Sequence, residues 1–391
     1  MKRYFSYLNT ANQVINAYRG DIPFAAWLKQ FFSNDKKYGS KDRKQIAHLC
    51  YCFFRLGKMA ENISTDDRIL LGLFLCSTKT DEILAALKPA WNEMMNNTAV
   101  EKIQMTGLQY SLAEIFPWEN EINESINYNS FCESFLTQPG LFLRVRPGYE
   151  KTVQEKLTAA NINFSTVHSN CLALSNSSKV DTVLELDKEA VVQDLNSQNI
   201  GDIFNLVRPG RSGQIENVWD CCAASGGKSL MLHDLFPGIK LTVSDKRESI
   251  LVNLGKRFAK ACIVNYESFI ADLSAPLKRN KKNKFNLIIA DVPCSGSGTW
   301  SRTPEQLYFL REVKIDEYSS LQKKIVSNVI PFLEPGGFLL YITCSVFKKE
   351  NEEVAGFIKD NFDLELKQMN LFAGYDKKAD NLFAALFYKP L

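Results

Sequence analysis

Ten cysteines are spread along this 391-residue chain, and two of them stand apart from the rest. Cys294 sits in Asp291-Val-Pro-Cys-Ser-Gly-Ser-Gly298, and Cys344 sits in Thr343-Cys-Ser345. Each follows a short apolar run, at 285–290 and 338–343, of the kind that forms a buried strand. A thiol at a strand end is partly exposed and near helix N-termini, which favours the reactive thiolate. A third segment of interest is Asp220-Cys-Cys-Ala-Ala-Ser-Gly-Gly-Lys-Ser229. Its two glycines let backbone approach a ligand closely, and the helix that follows offers free N–H groups to an anion. Acids end the other apolar runs: Asp245, Asp272 and Asp291. Asp245 is placed to accept hydrogen bonds from ribose hydroxyls.

Two thiols and an acid in one crevice suit addition–elimination on an electron-poor ring. Carbon 5 of cytosine is a poor nucleophile. A thiolate added to carbon 6 makes it enamine-like, an acid at ring nitrogen 3 stabilises the adduct, and a second group must remove the proton afterwards. The cofactor loop admits three classes. A P-loop needs GxxxxGK[ST], but its first glycine falls at Cys222. A nicotinamide site needs GxGxxG, which is absent. S-adenosylmethionine, whose carboxylate can take the helix N-terminus and whose ribose can take Asp245, fits best.

These residues depend on the elements that carry them. From about residue 213, apolar strands at 217–219, 240–244, 269–271, 285–290 and 338–343 alternate with helices at 228–236, 247–260, 316–333 and 348–361. A last strand is expected at 382–388. That alternation predicts an α/β domain with a mainly parallel sheet covered on both faces. Before it, 141–146 and 171–174 read as strands around a helix at 149–160, a small α+β unit. The first 135 residues read as all helix. Phe24, Trp27, Leu28, Phe31 and Phe32 form one stripe, Ile46, Leu49, Cys50, Phe53 and Leu56 another, and helices follow at 67–76 and 80–94. Residues 1–60 carry eleven basic against three acidic side chains, an asymmetry that suits a polyanion-binding face. The run Lys278-Arg-Asn-Lys-Lys-Asn-Lys284 reads as an exposed basic loop.

With those residues in view, the chain resembles the RsmB/Sun (Fmu) family of S-adenosylmethionine-dependent RNA cytosine-5 methyltransferases. The resemblance rests on Asp220-Cys-Cys-Ala-Ala-Ser-Gly-Gly-Lys228, Asp291-Val-Pro-Cys294, Thr343-Cys-Ser345, Gly336-Gly-Phe-Leu-Leu-Tyr and Asn351-Glu-Glu-Val, and it covers roughly 185–391. It implies a Rossmann-like class I methyltransferase domain at 213–391. By the same resemblance, a small α+β RNA-recognition-like domain occupies 136–212 and an all-α NusB-like RNA-binding domain 1–135, the last on Tyr38-Gly-Ser-Lys-Asp-Arg-Lys44. It implies that Cys222, Ala223, Ala224, Ser225, Gly226, Gly227, Lys228, Asp245, Asp272 and Asp291 bind the cofactor. Cys344 is then the nucleophile and Cys294 the group that helps release product; the resemblance, not the spacing, decides between the thiols. Asp291 is the catalytic acid. The chain departs from the family pattern at Ser225 for a usual proline, at Arg146 for an expected asparagine, and at Asp380-Asn-Leu-Phe383 for the usual Asp-Gly-Phe-Phe.

The substrate so implied is RNA, small-subunit ribosomal RNA before transfer RNA. A non-catalytic RNA-binding ribosome-assembly factor keeping this fold is the other class, though pure binding needs neither thiol. The remaining cysteines, such as Cys50, Cys52, Cys76, Cys132, Cys171 and Cys262, read as small core hydrophobes of a reducing compartment. Without CxxC pairs or spaced histidines, no metal is expected. The run 69–76 is too short to cross a bilayer, and no secretion signal opens the sequence. A cytoplasmic monomer is expected.

Overall fold

The computed structural model describes residues 2–35, 37–207, 215–277 and 284–391. The basic run at 278–283 and the expected domain boundary at 212/213 lie outside the described residues. The chain forms two compact units, one made of residues up to Gln138 with Thr299–Arg311, the other of Pro139–Gly298 with Glu312–Leu391.

The first unit is helical, without a strand among its described residues. Phe24, Leu28 and Phe32 bury one face of the helix Phe24–Asn34, and Ile46, Leu49, Cys50 and Phe53 that of Ser40–Arg55. The helix Thr65–Cys76 packs so closely on the latter that a Cβ at Gly72 would lie 2.3 Å from the Cys52 carbonyl oxygen. The single helix expected at 80–94 is two, Glu82–Leu87 and Pro89–Asn92. Proline has no N–H to donate and pushes the residue before it out of helical geometry, here Lys88 at φ −143°. One basic residue leaves the expected polyanion face: Arg55 is buried and donates to the carbonyls of Phe135, Thr137 and Ser301. Glu305 is buried in the first turn of Pro304–Phe309, accepting from the Phe24 N–H.

The second unit contains two sheets. β1 (Leu141–Val145), β2 (Phe164–His168), β3 (Cys171–Leu174) and β4 (Ala190–Val192) form an antiparallel sheet in the order β2-β3-β1-β4. The larger sheet contains β5 (Asn217–Asp220), β6 (Lys240–Asp245), β7 (Tyr266–Ile270), β8 (Phe285–Asp291), β9 (Leu333–Thr343), β10 (Glu365–Phe372) and β11 (Leu382–Tyr388). Its order is β10-β11-β9-β8-β5-β6-β7, parallel from β9 to β7 and antiparallel at β10 and β11. This is the mainly parallel sheet that the strand–helix alternation predicts, in the Rossmann-like arrangement that the family resemblance implies.

The apolar runs are continuous because both faces are covered. Leu287 and Ile289 of β8 pack with the helices Leu195–Leu206, Gly227–Leu235 and Glu248–Lys260. Ile288 and Ala290 pack on the other face with Val313–Val329 and Glu352–Asn361. The period of two sends successive residues to opposite cores. Strand order reverses between β5 and β8, so the ends of those strands flank the crevice where doubly wound sheets bind ligands. Three strands are absent from the sequence reading, β2, β4 and β10. β10 is an edge strand with alternating exposure, its sequence Glu-Leu-Lys-Gln-Met too polar to register as an apolar run. β7 also begins at Tyr266, earlier than expected, and leaves Ala271 outside.

Candidate active site

The turn after β5 is fixed by backbone bonds on both sides. Cys221 N–H donates to the Ile289 carbonyl at 2.9 Å, and Ala223 N–H to the Ser244 carbonyl at 2.9 Å. Ala224 and Gly226 take positive φ, 46° and 79°. A Cβ at Gly226 would lie 2.7 Å from a Phe258 ring carbon, so the turn needs glycine there for space as well as for backbone freedom. Gly227 then begins the helix Gly227–Leu235, with nothing within 4 Å of where a Cβ would stand. Arg257 donates to the Ser225 carbonyl and hydroxyl, a tether at the position where proline was expected.

The acids at the strand ends have partners. Asp245 accepts from the Ala224 and Arg247 N–H groups and from the Arg247 guanidinium. Asp272 pairs with Lys246 at 2.7 Å, and Lys246 with Ser274 holds its carboxyl down at about 2. Asp291 pairs with Lys228 at 2.6 Å. Burial pulls Lys228 down, but Asp291 and Asp220 more than offset it, and the ammonium is held above its usual range.

β8 and β9 are parallel neighbours, and the loops leaving them stay joined. Val292 N–H donates to the Ile342 carbonyl, and Gly298 N–H to the Cys344 carbonyl at 2.8 Å. The two thiols consequently face each other, Cys294 Sγ 3.2 Å from Cys344 Sγ. The neighbouring Cys344, together with burial, pushes the Cys294 thiol well up.

A cavity of about 590 Å³ gathers these groups, a size suited to a nucleoside-sized ligand. Of the residues singled out in the sequence, Cys222, Ala224, Asp245, Asp272, Asp291, Cys294 and Cys344 line it. Ala223, Ser225, Gly226, Gly227 and Lys228 are not among its lining residues; they build the turn and helix start, with Lys228 reaching Asp291. The sequence reading missed Arg247, Lys246 and the apolar wall of Leu321 and Ile325, a pair whose i, i+4 spacing was its only signal. A larger cavity, about 710 Å³, opens at the other ends of the strands, beside Asn217, Lys240, Tyr266 and Phe285. It contains neither Cys294 nor Cys344, and none of the strand-end acids. Among the described residues, no group of three His, Cys, Asp or Glu is placed to hold a metal ion, and no helix is long and apolar enough to cross a membrane.

Asp220, the last residue of β5, is buried next to Cys221, which lines the cavity of the two thiols. Its Oδ2 accepts from Ser229 Oγ at 2.6 Å, and Oδ1 has no hydrogen-bond partner among the described residues. Burial pushes its carboxyl up to about 7. The folded state therefore retains a proton that the unfolded chain loses near pH 4, so this acid's stabilising contribution is present below pH 4 and lost as pH rises through 7. Asp220→Asn cannot ionise. In urea melts the variant should gain on the wild type by up to about 1.4 kcal/mol per pH unit between pH 4 and 7, and the gap should stop widening above that. A gap independent of pH would mean that Asp220 folds ionised.

Comparison with known proteins adds to this geometry. Residues 211–387 match the family described as 16S rRNA methyltransferase RsmB/F. The chain is 33% identical over 156 residues to ribosomal RNA small subunit methyltransferase B of Shewanella oneidensis, covering 39% of this chain and 35% of that protein. It is 27% identical over 316 residues to the probable ribosomal RNA small subunit methyltransferase B of Synechocystis sp., covering 78% and 69%. The chain thus spans only about a third of the first relative's length. Its fold is similar to the crystal structure of PH0851, with a TM-score of 0.70 at 18% identity over 98% of each chain.

Proposed function

From the match of residues 211–387 to the RsmB/F methyltransferase family, we propose that this chain is a member of it and methylates carbon 5 of a cytosine in RNA through a covalent adduct with Cys344. The observation that carries the reading is the 3.2 Å approach of Cys294 and Cys344 in one cavity with Asp291. A binding protein gains nothing from two convergent thiols.

S-adenosylmethionine is the cofactor of this reading, supplying an electrophilic methyl group. The residues fit it: an open glycine at a helix start for the carboxylate, the Asp245 carboxylate for ribose hydroxyls, and apolar Leu321 and Ile325 on the wall. Arg247 now shares Asp245 and would share it with the ribose.

In the reaction, Cys344 sulfur bonds carbon 6 of the ring and the displaced electron pair makes carbon 5 nucleophilic. Ring nitrogen 3 is served by the Lys228–Asp291 pair, whose proton offsets the developing charge. Once carbon 5 bears the methyl group, its proton passes to Cys294, and the sulfur–carbon 6 bond breaks with its electrons returning to Cys344. The helical unit, with its basic first sixty residues, is assigned as a NusB-like RNA-binding domain, and 136–212 as the domain that guides RNA. Small-subunit ribosomal RNA is the substrate that the relatives' names favour.

The test is transfer from labelled S-adenosylmethionine to unmodified small-subunit ribosomal RNA, followed by nucleoside analysis. Label in 5-methylcytidine is the expected result. Label in another nucleoside would overturn the chemistry. Label acquired only by transfer RNA would keep the chemistry and replace the substrate.

A further inference from the structure

Behind the two thiols, outside the cavity lining, lies a fully buried carboxylate, Glu350. Its Oε2 accepts from the Ser295 N–H at 2.8 Å, on the loop that carries Cys294. Its Oε1 accepts from Ser345 Oγ at 2.7 Å, on the loop that carries Cys344. A third donor, Gln322 Nε2 at 3.0 Å, comes from the helix Val313–Val329. Gln322 also donates to the Pro293 carbonyl at 3.0 Å, and its own Oε1 accepts from Tyr341 of β9. The Tyr341 hydroxyl in turn donates to the Glu350 carbonyl at 2.5 Å. Ser297 Oγ adds a further link by accepting from the Val346 N–H at 2.9 Å.

We infer that Glu350 is a positioning residue that sets the approach of Cys294 to Cys344 by fastening both cysteine loops to one buried carboxylate. Ser297 Oγ also lies between the two serines, 3.2 Å from Ser295 Oγ and 3.1 Å from Ser345 Oγ, but it is a neutral hydroxyl, whereas Glu350 offers each loop its own carboxylate oxygen. The alternative, that Glu350 only fills space, fits poorly with a charge-bearing group at 0% exposure, since an acid is costly to bury unless its hydrogen bonds are needed there. Burial pushes its carboxyl up, and the donors from Ser295, Ser345 and Gln322 oppose that shift. Glu350 touches neither thiol's reacting partner, so its effect on catalysis runs through geometry. This inference deepens the proposed reaction and rests on it for its catalytic consequence, but not for the geometry itself.

The experiment separates the two. Diamide removes one hydrogen from each of two thiols and leaves a disulfide. At 3.2 Å the Cys294–Cys344 pair needs little movement to reach the roughly 2.05 Å bond. The rate of that cross-link, followed by peptide mass mapping, reads loop geometry without any RNA. Glu350→Ala should form it at least about tenfold more slowly, the fold-change matching loss of one charge-assisted hydrogen bond. Glu350→Gln, whose carbonyl can still accept from Ser295 and Gln322 while Ser345 turns to accept, should cross-link near the wild-type rate. In the methylation assay Glu350→Ala should lose kcat with KM for RNA unchanged, and Glu350→Gln should recover most of it. If Glu350→Ala does not fold, Ser345→Ala removes the Cys344-side bond to Glu350, together with the hydroxyl's contacts to the Phe347 N–H, Ser295 and Ser297, and should still slow the cross-link. Wild-type cross-linking rates in folded Glu350→Ala or in Ser345→Ala would overturn the inference. If the wild type methylates no RNA, the proposed function fails while the cross-link rates still decide the role of Glu350.

Discussion

Cys344→Ala should transfer no methyl group, a loss of at least about 10³-fold, and Cys294→Ala should leave protein covalently joined to RNA. Both thiols are only partly buried, so either truncation should leave the fold intact. The losses differ in kind because the thiols act at different moments. Without Cys344 no bond forms to carbon 6, and carbon 5 never becomes nucleophilic. Without Cys294 the bond forms and the methyl group is accepted, but the proton on carbon 5 has no nearby sulfur to receive it. Elimination then stalls with Cys344 still attached. Cys344 and burial push the Cys294 thiol well up, which keeps it from competing as the attacking thiolate. Once Cys344 is bonded to carbon 6 its push is gone, so Cys294 can release its own proton to solvent and take the one from carbon 5. Labelled RNA run with each variant on a denaturing gel distinguishes the outcomes. A shifted band with Cys294→Ala and none with Cys344→Ala is expected. The reverse pattern would make Cys294 the nucleophile and require the proton to leave by another route.

What could be read from the sequence follows from how locally each feature is encoded. Cys294, Cys344 and Asp291 could be found because each closes an apolar run, and strand ends in a parallel sheet converge on one crevice. The turn at 221–227 could be found because its glycines have a backbone reason to be there. Glu350 could not, although it lies one residue before Asn351-Glu-Glu-Val. Its role exists only once β8, β9 and the helix Val313–Val329 bring Ser295, Ser345 and Gln322 to the same point. The lysine and arginine beside Asp272 and Asp245 were hidden for a similar reason: adjacent charges in sequence say nothing about which carboxylate they will occupy. β10 escaped because an edge strand needs apolar residues on one face only, which weakens the run that marks a central strand.

Arg146, where the family pattern leads one to expect asparagine, is explained by Asp234, and the pair supports a strong stability prediction. The Asp234 side chain is buried and accepts from Arg144 Nη1 at 2.6 Å and from Arg146 Nη2 at 2.7 Å. Arg144 is further held by Gln193 at 2.8 Å, and its Nη2 has no hydrogen-bond partner among the described residues. Burial already pulls Arg144 below its usual range, with Asp234 opposing. One carboxylate therefore compensates two guanidinium groups removed from water. Asp234→Ala leaves both uncompensated and should cost about 3–5 kcal/mol, with a fall in Tm on the order of 10 °C. Arg146→Asn should cost less, because it leaves a one-to-one Arg144–Asp234 pair and no uncompensated charge, although it loses the Arg146–Asp234 ion pair with the bonds from Arg146 to the Asp187 and Ala261 carbonyls. The two effects should not add. In the Asp234→Ala background Arg146 is a liability, so removing it should cost less than in the wild type or even restore stability. Urea unfolding of the two single variants and the double variant measures this coupling. Strict additivity would mean that Arg146 is held by the carbonyls alone, and that its pairing with Asp234 contributes nothing.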